Sequence, residues 1–137
     1  MPFTLDPKIA ADTVAVTPLG LSDLRLMNDA RFPWLLLVPR RPGAVEIIDL
    51  AKADRAALFE EINAVSAALR AATRCDKLNV AALGNQVRQL HVHVVARFAG
   101  DAAWPGPVWG VGDAVAYEAA ARDRLIAAVR TALPAQN

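Results

Sequence analysis

Cysteine is almost missing from this chain, and the single thiol, Cys75, has no partner with which to form an internal disulfide. Long apolar runs are missing as well. The strongest, Trp34 to Val38, is about five residues long, far short of the roughly 20 that a membrane-spanning helix requires. Neither sign of charge is in excess, because 15 Lys and Arg stand against 14 Asp and Glu. That balance argues against a broad electrostatic footprint for polymeric nucleic acid or an anionic membrane, so a nucleotide would need a local site. Residues Met1 to Asp6 have neither the basic start nor the apolar stretch of a signal segment. Together these deficits predict a soluble protein of a reducing, cytoplasmic compartment. The 137 residues suit a single domain, 1–137, that buries about two thirds of its unfolded surface.

Histidine is scarce too, yet its two copies lie together in Gln89-Leu90-His91-Val92-His93-Val94-Val95. In an extended strand, successive side chains alternate between faces, so Gln89, His91 and His93 share one face while Leu90, Val92 and Val94 line the other. Neighbours in the polar row then stand roughly 6 to 7 Å apart, a spacing from which two imidazoles can engage one phosphate. The reading is that one face packs and the other is available for chemistry. Two unpaired imidazoles are a costly way to fill a purely structural strand, which points to a ligand or a reaction.

Period and punctuation place the remaining elements. Residues 13–16 and 23–27 flank Thr17-Pro18-Leu19-Gly20 and read as a β-hairpin. Leu35 to Val38 reads as a buried strand ended by Pro39, and residues 45–48 as a short edge strand. From Lys52 to Thr73, Leu58, Ile62, Val65 and Leu69 recur at helical spacing among alanines. Residues 78–83 return to strand character, and Gly84-Asn85 turns the chain into the histidine strand, its expected antiparallel neighbour. The Gly-, Pro- and Trp-rich residues 100–112 suit a structured loop, in which Trp104 and Trp109 are expected to anchor by packing. Asp113 is a candidate cap for a final amphipathic helix from Ala114 to Leu133, stopped by Pro134. Strands around one long helix, with another helix at the end, predict an α+β fold whose antiparallel sheet is covered by the long helix.

The segment Gly84 to Arg97 resembles the signature of the histidine triad family, in which three histidines alternate with apolar residues. His91 and His93 match the second and third histidines, and Gln89 stands at the first. Met27 to Arg40 is similar to the family's nucleotide-contacting strand and turn, although its usual Pro-Gly-His here reads Pro33-Trp34-Leu35. The resemblance spans roughly residues 12–103. It implies a homodimer and a nucleotide phosphoanhydride hydrolase or nucleotidyl transferase, acting for example on dinucleoside polyphosphates through a covalent nucleotidyl-histidine. His91 would be the nucleophile and His93 would bind and orient phosphate oxygens. Asn85 and Gln86 are candidate phosphate donors. Asn28 occupies the ribose-contacting position, with Phe32 and Trp34 at the border of the base. Gln89 departs from the pattern: an amide can orient His93 or a phosphate, but it does not titrate near neutrality and cannot protonate a leaving group. Two rivals follow. One is a nucleotide-binding protein of the same fold whose turnover is weak. The other is a metal held by His91 and His93, disfavoured because further ligands are missing. No cofactor is expected, and Arg97 is expected to form a structural ion pair.

Overall fold

The alternating segments around Pro18 and Gly20 pair as a hairpin in a computed structural model that describes residues 2–135: β1 (Thr13–Pro18) runs antiparallel to β2 (Ser22–Met27). The apolar run Trp34–Pro39 is β3, the alanine-rich segment Lys52–Thr73 is α2, and β4 (Lys77–Ala81) and β5 (Val92–Arg97) follow. A six-residue helix, α1 (Pro7–Asp12), precedes the sheet, and α3 (Ala119–Ala132) ends the described fold. The five strands form one antiparallel sheet in the order β1-β2-β3-β5-β4, so β5 lies between β3 and β4. This is the α+β class that the sequence predicts.

The alternation in β5 sorts its side chains as expected, but both sorts end up buried. Leu90, Val92, Val94 and Ala96 pack with Leu35 and Leu37 of β3 against Leu58, Val65 and Leu69 of α2 and Ile126 and Val129 of α3. On the other side, Trp34, Leu36 and Val38 of β3 and Val95 of β5 form a second cluster with Ile9 of α1, Phe32 and Val108. Every residue of β3 and β5 is therefore buried. On the side of the histidines, α1 and the loop after β5 pack over the strand.

Three local expectations also change. Residues 45–48 do not form an edge strand; Asp49 accepts from the backbone N–H groups of Val45 and Glu46 and closes a 3-10 turn, Ile47–Asp49. The last helix starts at Ala119 rather than near Ala114, and Asp113 does not cap it. There the turn after β2 captures the chain in extended form. Ala30 N–H donates to the Val115 carbonyl (2.6 Å), and Tyr117 N–H donates to Asn28 Oδ1 (2.9 Å). The histidine strand begins at Val92 rather than near Gln89. Periodicity does not reveal α1, although Asp6-Pro7 is a helix-start signal: Pro occupies the first turn and Asp6 Oδ1 accepts from the N–H groups of Lys8 and Ile9.

On the covered face, β5 ends in a buried cation. The Arg97 side chain is 2% exposed and donates to Asp101 (2.9 and 3.0 Å), Asn79 Oδ1 (2.8 Å) and the Gly106 carbonyl (2.8 Å). Its guanidinium also lies 5.9 Å from the Phe32 ring centroid and 5.6 Å from that of Trp104. The structural ion pair expected for Arg97 is thus present, and it fastens the loop after β5. Hydrogen bonding from Arg97 holds the Asp101 carboxyl down to about 2. Its stabilising contribution is present above the ordinary value of 3.8 and is lost as pH falls toward about 2. Removing one partner of a buried pair strands the other charge, so Asp101→Ala is expected to lower the unfolding free energy by about 3–5 kcal/mol. Urea denaturation checks this, and a loss below about 1 kcal/mol, typical of exposed pairs, would contradict it.

Candidate active site

His93 sits inside β5, opposite Leu36 of β3 and Ala81 of β4, whereas His91 lies just before the strand begins. Their ring centroids are 4.9 Å apart at an interplanar angle of 73°, and the residues are 7% and 4% exposed for His91 and His93 respectively. Each ring is fixed through its Nδ1 by a partner of opposite character. His91 Nδ1 is 2.7 Å from the Gln89 carbonyl, which can only accept, so this nitrogen carries the proton and donates it. His91 Nε2 is left with a free lone pair. His93 Nδ1 accepts from the Trp34 indole N–H at 2.9 Å; because that indole can only donate, the neutral His93 ring carries its proton on Nε2. The cavity thus receives a bare nitrogen from one imidazole and an N–H donor from the other.

This cavity, about 400 Å³, is lined by both histidines, Asn85, Gln86, Lys8 and Trp109. Asn85 and Gln86 are exposed, and among the described residues neither side chain has a hydrogen-bond partner, so both amides are free to donate to a ligand. They follow Gly84, whose φ of 66° suits glycine and where a Cβ would come within 3.2 Å of the Val87 carbonyl. Trp109 stands edge-on to His93 (5.1 Å) and to Trp34 (5.8 Å), so it forms a wall of the site in addition to the packing role expected of it. Its loop is held by Arg97 at Gly106 and by Arg31 at the Val111 carbonyl. The sequence signal for Trp109 is its Pro- and Gly-rich setting, which does not say toward what the ring turns.

A second cavity of about 350 Å³ adjoins the first across Trp34 and Trp109 and contains Asn28. Asn28 Oδ1 is occupied by the Tyr117 N–H, which leaves its amide donors for a ligand and narrows the ribose contact expected of it. Phe32 is corrected as a base-bordering residue: it is fully buried, with the Arg31 guanidinium 5.1 Å from its ring. Gln89 is corrected as well. Its Oε1 accepts from Asp6 N–H (2.8 Å) and its Nε2 donates to the Thr4 carbonyl (2.8 Å), so the side chain holds the N-terminal segment instead of orienting His93. Among the described residues, no group of three or more His, Cys, Asp or Glu has the placement to hold a metal ion, and no helix is long and apolar enough to cross a membrane.

Burial, with a smaller contribution from neighbouring His91, lowers the His93 pKa from 6.5 to about 4. The unfolded chain takes up this proton near 6.5 and the folded chain only near 4, so the associated stability is present above 6.5 and lost as pH falls toward 4. The full effect is on the order of 3 kcal/mol. Imidazole NMR is expected to show His93 neutral, with its proton on Nε2, throughout the range above about pH 5. A midpoint near 6.5 would contradict the described environment.

The family model for the HIT domain matches residues 9–100. No curated protein matches the chain. Solved structures do. The crystal structure of a histidine triad protein from Bradyrhizobium japonicum is 51% identical, with a TM-score of 0.96 over 98% of this chain and 100% of that one. A histidine triad protein from Sinorhizobium meliloti is 47% identical, with a TM-score of 0.94 over 96% and 97% of the respective chains. One from Marinobacter aquaeolei is 41% identical, with a TM-score of 0.94 over 97% of each. With the domain matched over most of its length and the fold shared from end to end, the chain belongs to the histidine triad family.

Proposed function

We propose that the protein is a nucleotide phosphoanhydride hydrolase or nucleotidyl transferase that works through a nucleotidyl-His91 intermediate. The observation that carries this reading is the pair of complementary ring states, a lone pair on His91 Nε2 beside an N–H on His93 Nε2. The Nε2 lone pair forms a P–N bond to the α-phosphorus while the bond to the bridging oxygen breaks, its electron pair leaving with the outgoing phosphate. The ring becomes cationic, and the Gln89 carbonyl, already accepting from Nδ1–H, stabilises that charge. Water, or another acceptor hydroxyl, then attacks phosphorus. The P–N pair returns to Nε2, the acceptor's proton passes to solvent, and nucleoside monophosphate or its ester is released.

In this reading His93, Asn85 and Gln86 donate to phosphate oxygens, and Trp34, Trp109 and the free amide of Asn28 meet the nucleoside. Because His93 is held near 4 and Gln89 is tied to backbone, neither supplies a proton to the departing group at neutral pH. That favours leaving groups that are already weak bases, as in phosphoanhydrides. The same tied Gln89 favours the second reading, a nucleotide-binding protein with little turnover. We further propose a cytoplasmic homodimer. Its support is β4, which ends the sheet with Val80 48% exposed and Leu83 nearby 46% exposed, an edge suited to pairing with another copy.

His91→Asn is expected to lower nucleoside monophosphate release from a dinucleoside polyphosphate by at least about 10³-fold while the circular dichroism spectrum stays unchanged. Wild-type rates in that variant would remove His91 from its role. Saturable nucleotide binding by a wild-type protein without turnover would select the binding reading.

A further inference from the structure

We infer that Lys8, brought to the histidine cavity by a latch on Gln89, binds the phosphates beyond the one His91 attacks, and so selects substrates whose leaving group is itself a phosphate chain. This rests on the nucleotidyl-transfer reading above. The latch is a continuous series of hydrogen bonds. Gln89 grips the backbone of Thr4 and Asp6, and Asp6 in turn accepts from the N–H groups of Lys8 and Ile9. Ile9, 3% exposed, seats the same turn in the second core cluster. The short helix α1 therefore starts at a position set by residue 89, and its Lys8 lines the wall of the cavity that holds His91 and His93.

The charge inventory of that cavity gives Lys8 its task. His93 is neutral down to about pH 4, and His91 attacks through a neutral ring. Among the described lining residues, Lys8 is the sole Lys or Arg, and Asp12, its ion-pair partner, is the sole Asp or Glu. A triphosphate or longer bridge brings several negative charges and meets no other fixed positive charge among those residues. Lys8 is paired with Asp12 at 2.8 Å, but both side chains are well exposed, 58% and 44%. Such a pair is weakly held, and the ammonium retains further N–H donors for a phosphate oxygen. Hydrogen bonding to Asp12 also raises the Lys8 pKa above 10.5, which makes it a permanent charge rather than a proton donor. Its role is to bind the departing phosphates and stabilise the electron pair they carry away.

Two adenosine substrates with weakly basic leaving groups isolate this role: diadenosine triphosphate, and the p-nitrophenyl ester of adenosine 5′-monophosphate, which lacks further phosphates. Lys8→Met is expected to lower kcat/KM for the triphosphate by roughly tenfold or more, to change the ester by less than about twofold, and to be rescued by Lys8→Arg. Equal losses on both substrates, or none on either, would overturn the assignment. Calorimetric titration with inorganic tripolyphosphate provides a readout independent of turnover, with Lys8→Met expected to bind roughly tenfold more weakly. If the wild type cleaves neither substrate but binds tripolyphosphate through Lys8, the transfer reading fails while the Lys8 site stands. If cleavage proceeds with no dependence on Lys8, the Lys8 site fails while the transfer reading stands.

Discussion

A strand covered on both faces leaves its polar side chains without bulk water, so each of them must find a protein partner or bear the cost of desolvation. That constraint governs β5. Arg97 meets it with Asp101, Asn79 and Gly106, and His93 meets it with the Trp34 indole; just before the strand, His91 does so with a backbone carbonyl. The same bonds shape the surroundings. Arg97 fastens the loop that carries Trp109, and Trp109 completes the wall beside His93. Satisfying the buried cation and building the cavity are thus parts of one arrangement.

The two imidazoles are set apart by what faces their Nδ1 atoms. An acceptor there leaves a nucleophile, and a donor there leaves a hydrogen-bond donor, so identical side chains acquire opposite capacities from their partners. Burial reinforces the division by keeping His93 uncharged at neutral pH. A protonated His93 would gain charge but would also compete with Trp34 for Nδ1, turning a fixed contact into a repulsive one.

Much of this is legible from periodicity. The hairpin, the buried strand at Trp34–Pro39, the long helix and the antiparallel partner of the histidine strand are all dictated locally by apolar spacing and by Pro and Gly. So is the facing of His93 and Arg97, because strand parity is a local rule. What escapes a local reading depends on contacts distant in sequence. Residues 113–118 carry a passable helix signal, yet Asn28 to Ala30 hold part of that segment extended. Phe32 looks like a base contact until the fold encloses it beneath Arg31 and Arg97. Gln89 belongs by pattern to the catalytic row, but its amide matches the backbone of residues 4 and 6, far away along the chain, a pairing that no local pattern announces.

Residue 89 serves the nucleophile through its main-chain oxygen, which every amino acid possesses. Its side chain is therefore uncoupled from that duty, and mutation at this site can redirect the side chain without removing the acceptor on which His91 relies. A position that looks like the weak point of the motif becomes an evolutionary degree of freedom, where the edge of the cavity can be rebuilt while the attacking nitrogen keeps its alignment.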